Sequence, residues 1–161
     1  MTIILDERLQ EHALASFHAR ADARICATLP QGAATAEEAL RLWEASRLPG
    51  AASYGRIIRV DGRYAGDVWC YAIQPGGDPE AMLSYCVNDP ALWGQGVAGT
   101  AVALFLTEVR QGLGLGRMGA ICWADHSASR RVLEKNGFRL AERFQEGGRE
   151  ACYYLNTMEE A

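Results

Sequence analysis

The stretch that most constrains this chain is residues 87–100, Val-Asn-Asp-Pro-Ala-Leu-Trp-Gly-Gln-Gly-Val-Ala-Gly-Thr. An apolar, strand-like run ends at Val87, a short loop follows, and an apolar, helix-like run opens on small residues. The chain must therefore set a strand end against a helix start here. The first backbone N–H groups of a helix have no partner within it, and the helix dipole makes them a ready anion site. Gly94, Gly96, Ala98 and Gly99 carry no bulk to hold a phosphate away from those groups. A glycine-rich turn without a ligand is the bland alternative.

Gly94-Gln95-Gly96-Val97-Ala98-Gly99 also matches the G-x-G-x-x-G dinucleotide fingerprint literally. That fingerprint needs its glycines directly after the strand, whereas Asn88–Trp93 intervene. It also needs a second βαβ half, and too little chain remains downstream. The context argues against a nicotinamide or flavin site.

Around this turn the pattern alternates strands and helices. Thr2–Leu5 reads as a short strand and Glu7–Arg20 as a helix, with Leu9, Ala13 and Phe17 at helical spacing. Leu29–Ala34 carries the breakers Pro30 and Gly32. Thr35 with Glu38 forms a capping-box pattern opening a helix over Ala36–Ser46, closed by Pro49-Gly50. Arg56–Val60 and Tyr64–Ile73 flank Asp61-Gly62 and predict a hairpin. A turn at Pro75–Pro79 leads to a strand over Ala81–Val87. The spacing then predicts a buried helix over Ala98–Gln111 ended by Gly112, and a strand over Met118–Trp123. A helix over Ala128–Asn136 with Gly137 as its left-handed cap follows, then strands at Phe138–Phe144 and Cys152–Leu155. Antiparallel hairpins followed by strand–helix–strand–helix–strand predict a mixed α/β (α+β) sheet packed by helices. The 161 residues fit one domain spanning 1–161.

Composition removes several functional classes. A net charge of −4 without a Lys/Arg cluster argues against nucleic acid as a partner. No apolar run approaches a membrane span, and the N-terminus lacks a signal-peptide pattern, so a cytoplasmic protein is expected. Five cysteines without a C-x-x-C pair read as free, mostly buried thiols. His12 and His18 fall on different helix faces, and no zinc-ligand spacing occurs.

Trp93-Gly94-Gln95-Gly96-Val97-Ala98 resembles the acetyl-CoA pyrophosphate loop of the GNAT superfamily of N-acetyltransferases, Gln/Arg-x-x-Gly-x-Gly/Ala, with Trp93 at the first position. A tryptophan there is typical of the branch that acetylates ribosomal-protein alanine N-termini. Ser84–Val87 echoes that branch's upstream strand. Independently, Asp125–Phe138 resembles the family's Asn-x-x-Ser-x-x-Val-Leu-Glu-Lys-x-Gly-Phe signature. The resemblance implies a mixed, mostly antiparallel sheet, splayed at an acetyl-CoA cleft and flanked by helices. It implies acetyl-CoA as cosubstrate, bound by Cys86, Val87, Gly94, Gln95, Gly96, Val97, Ala98, Gly99, Thr100, His126 and Ser129. A primary amine would be the acceptor, either a protein N-terminus or a small molecule, in a monomer or a homodimer.

Direct attack of the amine on the thioester is the implied chemistry, with Tyr85 and His126 as the candidate catalytic side chains. Three positions depart from the family pattern. His126 replaces its asparagine, Leu133 stands where many members carry a tyrosine acid, and Met82 replaces a common glutamate, leaving Glu80 as the nearby carboxylate. No general base is placed by motif, and water remains an option for the amine proton. Cys86 lacks a His/Asp partner in sequence and does not read as a nucleophile. Arg130 and Arg131 either reach the cofactor's 3′-phosphate or form a solvated face. Trp69, Tyr71 and Trp123 read as sheet core rather than an acceptor cage. The alternative from another class is a non-catalytic acetyl-CoA-binding sensor.

Overall fold

The structure, a computed structural model, describes residues 1–27, 32–77 and 79–158. Its chain order is β1 (Ile3–Glu7), α1 (Gln10–Ala19), α2 (Ala23–Cys26), α3 (Ala36–Ser46), β2 (Tyr54–Val60), β3 (Arg63–Gln74), β4 (Glu80–Val87), α4 (Val97–Leu113), β5 (Arg117–Trp123), α5 (Ser127–Lys135), β6 (Arg139–Glu146) and β7 (Arg149–Asn156). The strands form one seven-stranded sheet, ordered β1-β2-β3-β4-β5-β7-β6. Every adjacent pair is antiparallel except β4–β5.

Local chemistry explains most of these elements. Asp61 and Gly62 both take positive φ, 50° and 83°, as a two-residue hairpin turn requires. The Thr35 hydroxyl accepts from the Glu38 amide at 3.1 Å, while the Glu38 carboxylate reaches back one residue further than a capping box, to the Ala34 amide. Helix α4 buries Val97, Ala101, Val102, Phe105, Leu106 and Val109 along one face. That face packs on Val68, Cys70, Leu83, Met118 and Tyr154. Complete burial of Phe105 alone contributes about 1.5–3 kcal/mol.

Three sequence readings change. Glu7 belongs to β1, where it pairs with Arg56, and the first helix starts only at Gln10. The buried helix runs past Gly112 and is capped by Gly114, at φ 64°, with Leu115 buried directly after it. Helix α2 has no counterpart in the sequence reading. Residues 29–31 of the breaker region and Asp78 of the second turn lie outside the described residues.

The arrangement that positions the site is the β4–β5 pair. Its parallel register runs from Glu80↔Arg117 to Leu83↔Ala120 and stops, although β4 continues to Val87 and β5 to Trp123. Beyond Leu83, β4 pairs only with β3. That pairing is close: a Cβ on Gly66 would lie 2.0 Å from the Cys86 carbonyl oxygen, so only glycine fits.

Candidate active site

Two cavities flank the gap that opens between β4 and β5. The first, about 700 Å³, lies on the α4–α5 side and is floored by Tyr85 and Val87. Its upper rim is the turn into α4. The Trp93 indole donates to the Val87 carbonyl at 2.9 Å and closes the loop, and Asp89 caps a short 3-10 turn at Pro90–Leu92. Gly94 and Gly96 take φ 78° and 80°, and a Cβ on either would meet nothing within 4 Å. Conformation, not crowding, demands glycine there, and the space above is open. The first intrahelical bond is Thr100 N–H to Gly96 O, so the preceding N–H groups have no acceptor within the helix.

The opposite bank of this cavity is α5 and the loop before it. Asn136 ties that bank to α4 by donating to the Gly99 carbonyl at 3.3 Å. Ser129 is buried, and its hydroxyl lies 2.6 Å from the Tyr85 hydroxyl. Burial pushes the Tyr85 hydroxyl well above its usual range, against the pull of that hydrogen bond. His126 stands at the start of α5, half-buried, and desolvation holds its imidazole below its ordinary 6.5, with Arg149 adding and Asp125 opposing. Arg131 and Lys135 line this bank. Arg130 turns away and donates to the Tyr154 hydroxyl and the Ala124 carbonyl.

The cavity therefore gathers Tyr85, Cys86, Val87, Gly94, Gly96, Val97, Ala98, Gly99, Thr100, His126 and Ser129. Gln95 does not line it, because its side-chain amide folds back onto the Ala91 carbonyl at 2.8 Å.

The second cavity, a groove of about 520 Å³, lies on the other face of the sheet under α1 and α3. Leu83, Ser84, Ile121 and Cys122 border both spaces, so the two meet at the β4–β5 gap. Trp69, Tyr71 and Trp123 line this groove, contrary to their reading as sheet core. Strand alternation explains the difference: Val68 and Cys70 face α4, so their neighbours face the groove. Glu80 lies at the paired end of β4 beside Arg117, borders neither cavity, and is not a candidate base.

Sequence reasoning missed the pair Arg8–Asp67. Asp67 has no exposed surface, and its Oδ2 takes the Arg8 Nε–H at 2.6 Å. The available signal was a carboxylate placed mid-strand in an otherwise apolar run.

A family model described as acetyltransferase (GNAT) domain matches residues 4–139. No curated protein matches the chain. Among solved structures, RimL, a ribosomal L7/L12 alpha-N-protein acetyltransferase in complex with coenzyme A as a cysteine disulfide, superposes with TM-score 0.80 at 22% identity, covering 98% of this chain and 94% of its own. RimJ of Mycobacterium smegmatis, in complex with CoA-disulfide, gives 0.79 at 20% identity, covering 96% and 81%. The aminoglycoside acetyltransferase AAC(6')-Ib, in complex with coenzyme A, gives 0.78 at 13%, covering 97% and 95%. The sheet that splays between two helices has the form of the GNAT fold. The chain belongs to the acetyltransferase (GNAT) domain family, as an N-acetyltransferase with acetyl-CoA as cosubstrate.

Proposed function

We propose that this chain transfers the acetyl group of acetyl-CoA to a primary amine by direct attack in a ternary complex. The observation that carries the reading is the gap beyond Leu83↔Ala120, where the α4–α5 cavity and the aromatic groove meet. Acetyl-CoA, when bound, supplies an activated thioester carbonyl. The chain's residues fit it. The backbone N–H groups from Gly94 to Gly99, ahead of the Thr100 N–H that Gly96 already engages, would hold its pyrophosphate, in open space beside left-handed glycines. Arg131 and Lys135 offer cations to its remaining phosphate. The edge of β4 from Ser84 to Cys86, unpaired toward β5, offers main-chain groups to the pantetheine arm and the carbonyl oxygen. The Val87 carbonyl is already engaged by Trp93.

In the transfer, a carbon–nitrogen bond forms, the carbon–sulfur bond breaks, one proton leaves the nitrogen for water, and one reaches the sulfur. Tyr85, kept protonated by burial and oriented by Ser129, is the candidate donor to sulfur. His126, which lines the cavity and is kept toward its neutral form by desolvation, would hydrogen-bond the pantetheine. Burial pushes the Cys86 thiol up to about 12 and the Cys122 thiol to about 11, which disfavours a thiolate nucleophile and supports direct attack.

Similar fold scores for protein and aminoglycoside acetyltransferases leave the acceptor to the groove rather than the fold. A thiol-release screen of primary amines with acetyl-CoA tests the function. Turnover with at least one amine is expected. Binding of acetyl-CoA by calorimetry without thiol release from any amine would make the chain a sensor instead.

A further inference from the structure

We propose that Arg8 selects the acceptor by holding an oxygen carried beside the reacting amine, and that Asp67 is the positioning residue that aims it. This rests on the acetyltransfer reading above. A carboxylate without exposed surface is costly to ionise unless its oxygens are satisfied. Both are: Oδ2 takes Arg8 Nε–H at 2.6 Å, and Oδ1 takes the Tyr64 hydroxyl, which itself accepts from Asn88 Nδ2 at 2.9 Å. The His12 ring packs against Tyr64 at 5.2 Å and closes the cluster from α1.

Arg8 is held at its backbone too, because the Trp43 indole donates to its carbonyl at 2.8 Å. Its side chain crosses the groove floor at Gly55, where an added Cβ would lie 3.5 Å from Arg8 Cδ. The side chain is 23% exposed and lines the groove. Among the described residues, Asp67 is its only acceptor. With Nε committed, the Nη groups remain for an incoming oxygen, and a guanidinium fork suits a carboxylate or carbonyl. Phe17, Trp69, Tyr71 and Trp123 give the groove an aromatic wall, and Glu38 and Glu146 also line it.

A second observation agrees independently. Among the described residues, none of the four that border both cavities is a carboxylate, and Glu38 and Glu146 line only the groove, so an amine of low basicity suits the meeting point best. An amine next to a carbonyl has a pKa of about 8, against about 10.4 for an alkyl ammonium, and a nearby cation lowers it further. Both observations favour the α-amino carbonyl group of a peptide N-terminus or amide; a free amino acid, whose own carboxylate keeps its amine more basic, meets only the first.

The test measures kcat/KM, corrected for amine ionisation, on alanine, alaninamide and an alanine tripeptide against ethylamine and putrescine. The first three distinguish the two sources. The wild type should favour α-amino carbonyl acceptors by at least roughly tenfold. Arg8→Gln should lower kcat/KM for those alone by roughly 10–100-fold, through KM, with acetyl-CoA affinity unchanged by calorimetry. Asp67→Asn should reduce the same preference. If it does not fold, Tyr64→Phe, which removes a bond to the same carboxylate, takes its place. A purely structural role would lower the melting temperature and the active fraction for all acceptors alike, leaving the ratio intact. That result, or a wild type without preference, overturns the inference. Absence of thiol release from every amine would instead sink the acetyltransfer reading, and this one with it.

Discussion

Gly96 shows how much one residue decides. At φ 80° an L side chain adopts the left-handed region at a cost of roughly 1–2 kcal/mol, even though the space is open. Gly96→Ala should therefore weaken acetyl-CoA binding by about tenfold or somewhat more. Gly96→Asp should abolish it, since a carboxylate would stand beside two phosphates. Calorimetry checks both, and unchanged affinity in Gly96→Asp would move the phosphate site elsewhere. The role proposed for His126 uses its neutral form. Desolvation lowers its folded-state pKa, so the unfolded chain binds a proton more readily near pH 6.5. Acid should thus cost stability as pH falls through that value, and alkaline pH should cost nothing at this residue. His126→Asn should keep most activity and His126→Ala should lose much of it, with the acid sensitivity reduced in both. Full activity in both variants would leave His126 as an ordinary loop residue.

At the scale of elements, the decisive contact is β3 against β4. Gly66→Ala forces a Cβ onto the backbone oxygen of Cys86, which cannot swing aside as a flexible side chain would. A loss of about 1–3 kcal/mol is expected, read as a lower denaturant midpoint, together with weaker acetyl-CoA binding as β4 shifts. An unchanged midpoint would show that the strands part freely. The sequence carried the hairpin turn, the α4 and α5 segments and the glycine loop, because each rests on local chemistry: Asp61-Gly62, the apolar spacing of α4, and Gly137. It misplaced the end of α4, where Gly112 and Gly114 are equivalent by propensity and only the burial of Leu115 chooses between them. It also misjudged Trp69, Tyr71 and Trp123. Which face of a central strand is covered by helices is a tertiary fact that alternation alone does not contain. Arg8 and Asp67 were invisible as a pair because β1 and β3 become neighbours only through β2.

For the whole molecule, the candidate chemistry rests more on alignment than on any one side chain. Among the described residues that border both cavities there is no carboxylate, and the one thiol, Cys122, is held protonated by burial, as is Cys86 of the α4–α5 cavity. No single substitution among Tyr85, His126 and Ser129 should lower kcat by more than about a hundredfold, and Glu80→Ala should change it little. The pH profile of kcat/KM should rise toward the acceptor's own amine pKa and shift with acceptor basicity. A thousandfold loss at Tyr85 or His126 with binding intact would reveal a dedicated proton carrier.

The sheet itself separates the two cavities, one under α1 and α3, the other between α4 and α5, and among the described residues they share just Leu83, Ser84, Ile121 and Cys122 at the opening. With acetyl-CoA and the amine seated as proposed, traffic through the protein would be two-way without a queue. Neither molecule has to pass the other's seat, so each can load first and each product can depart on its own side. Initial-rate plots should show intersecting lines, and each product should compete with the substrate that shares its doorway. Parallel lines would mean that one door opens only after the other has closed.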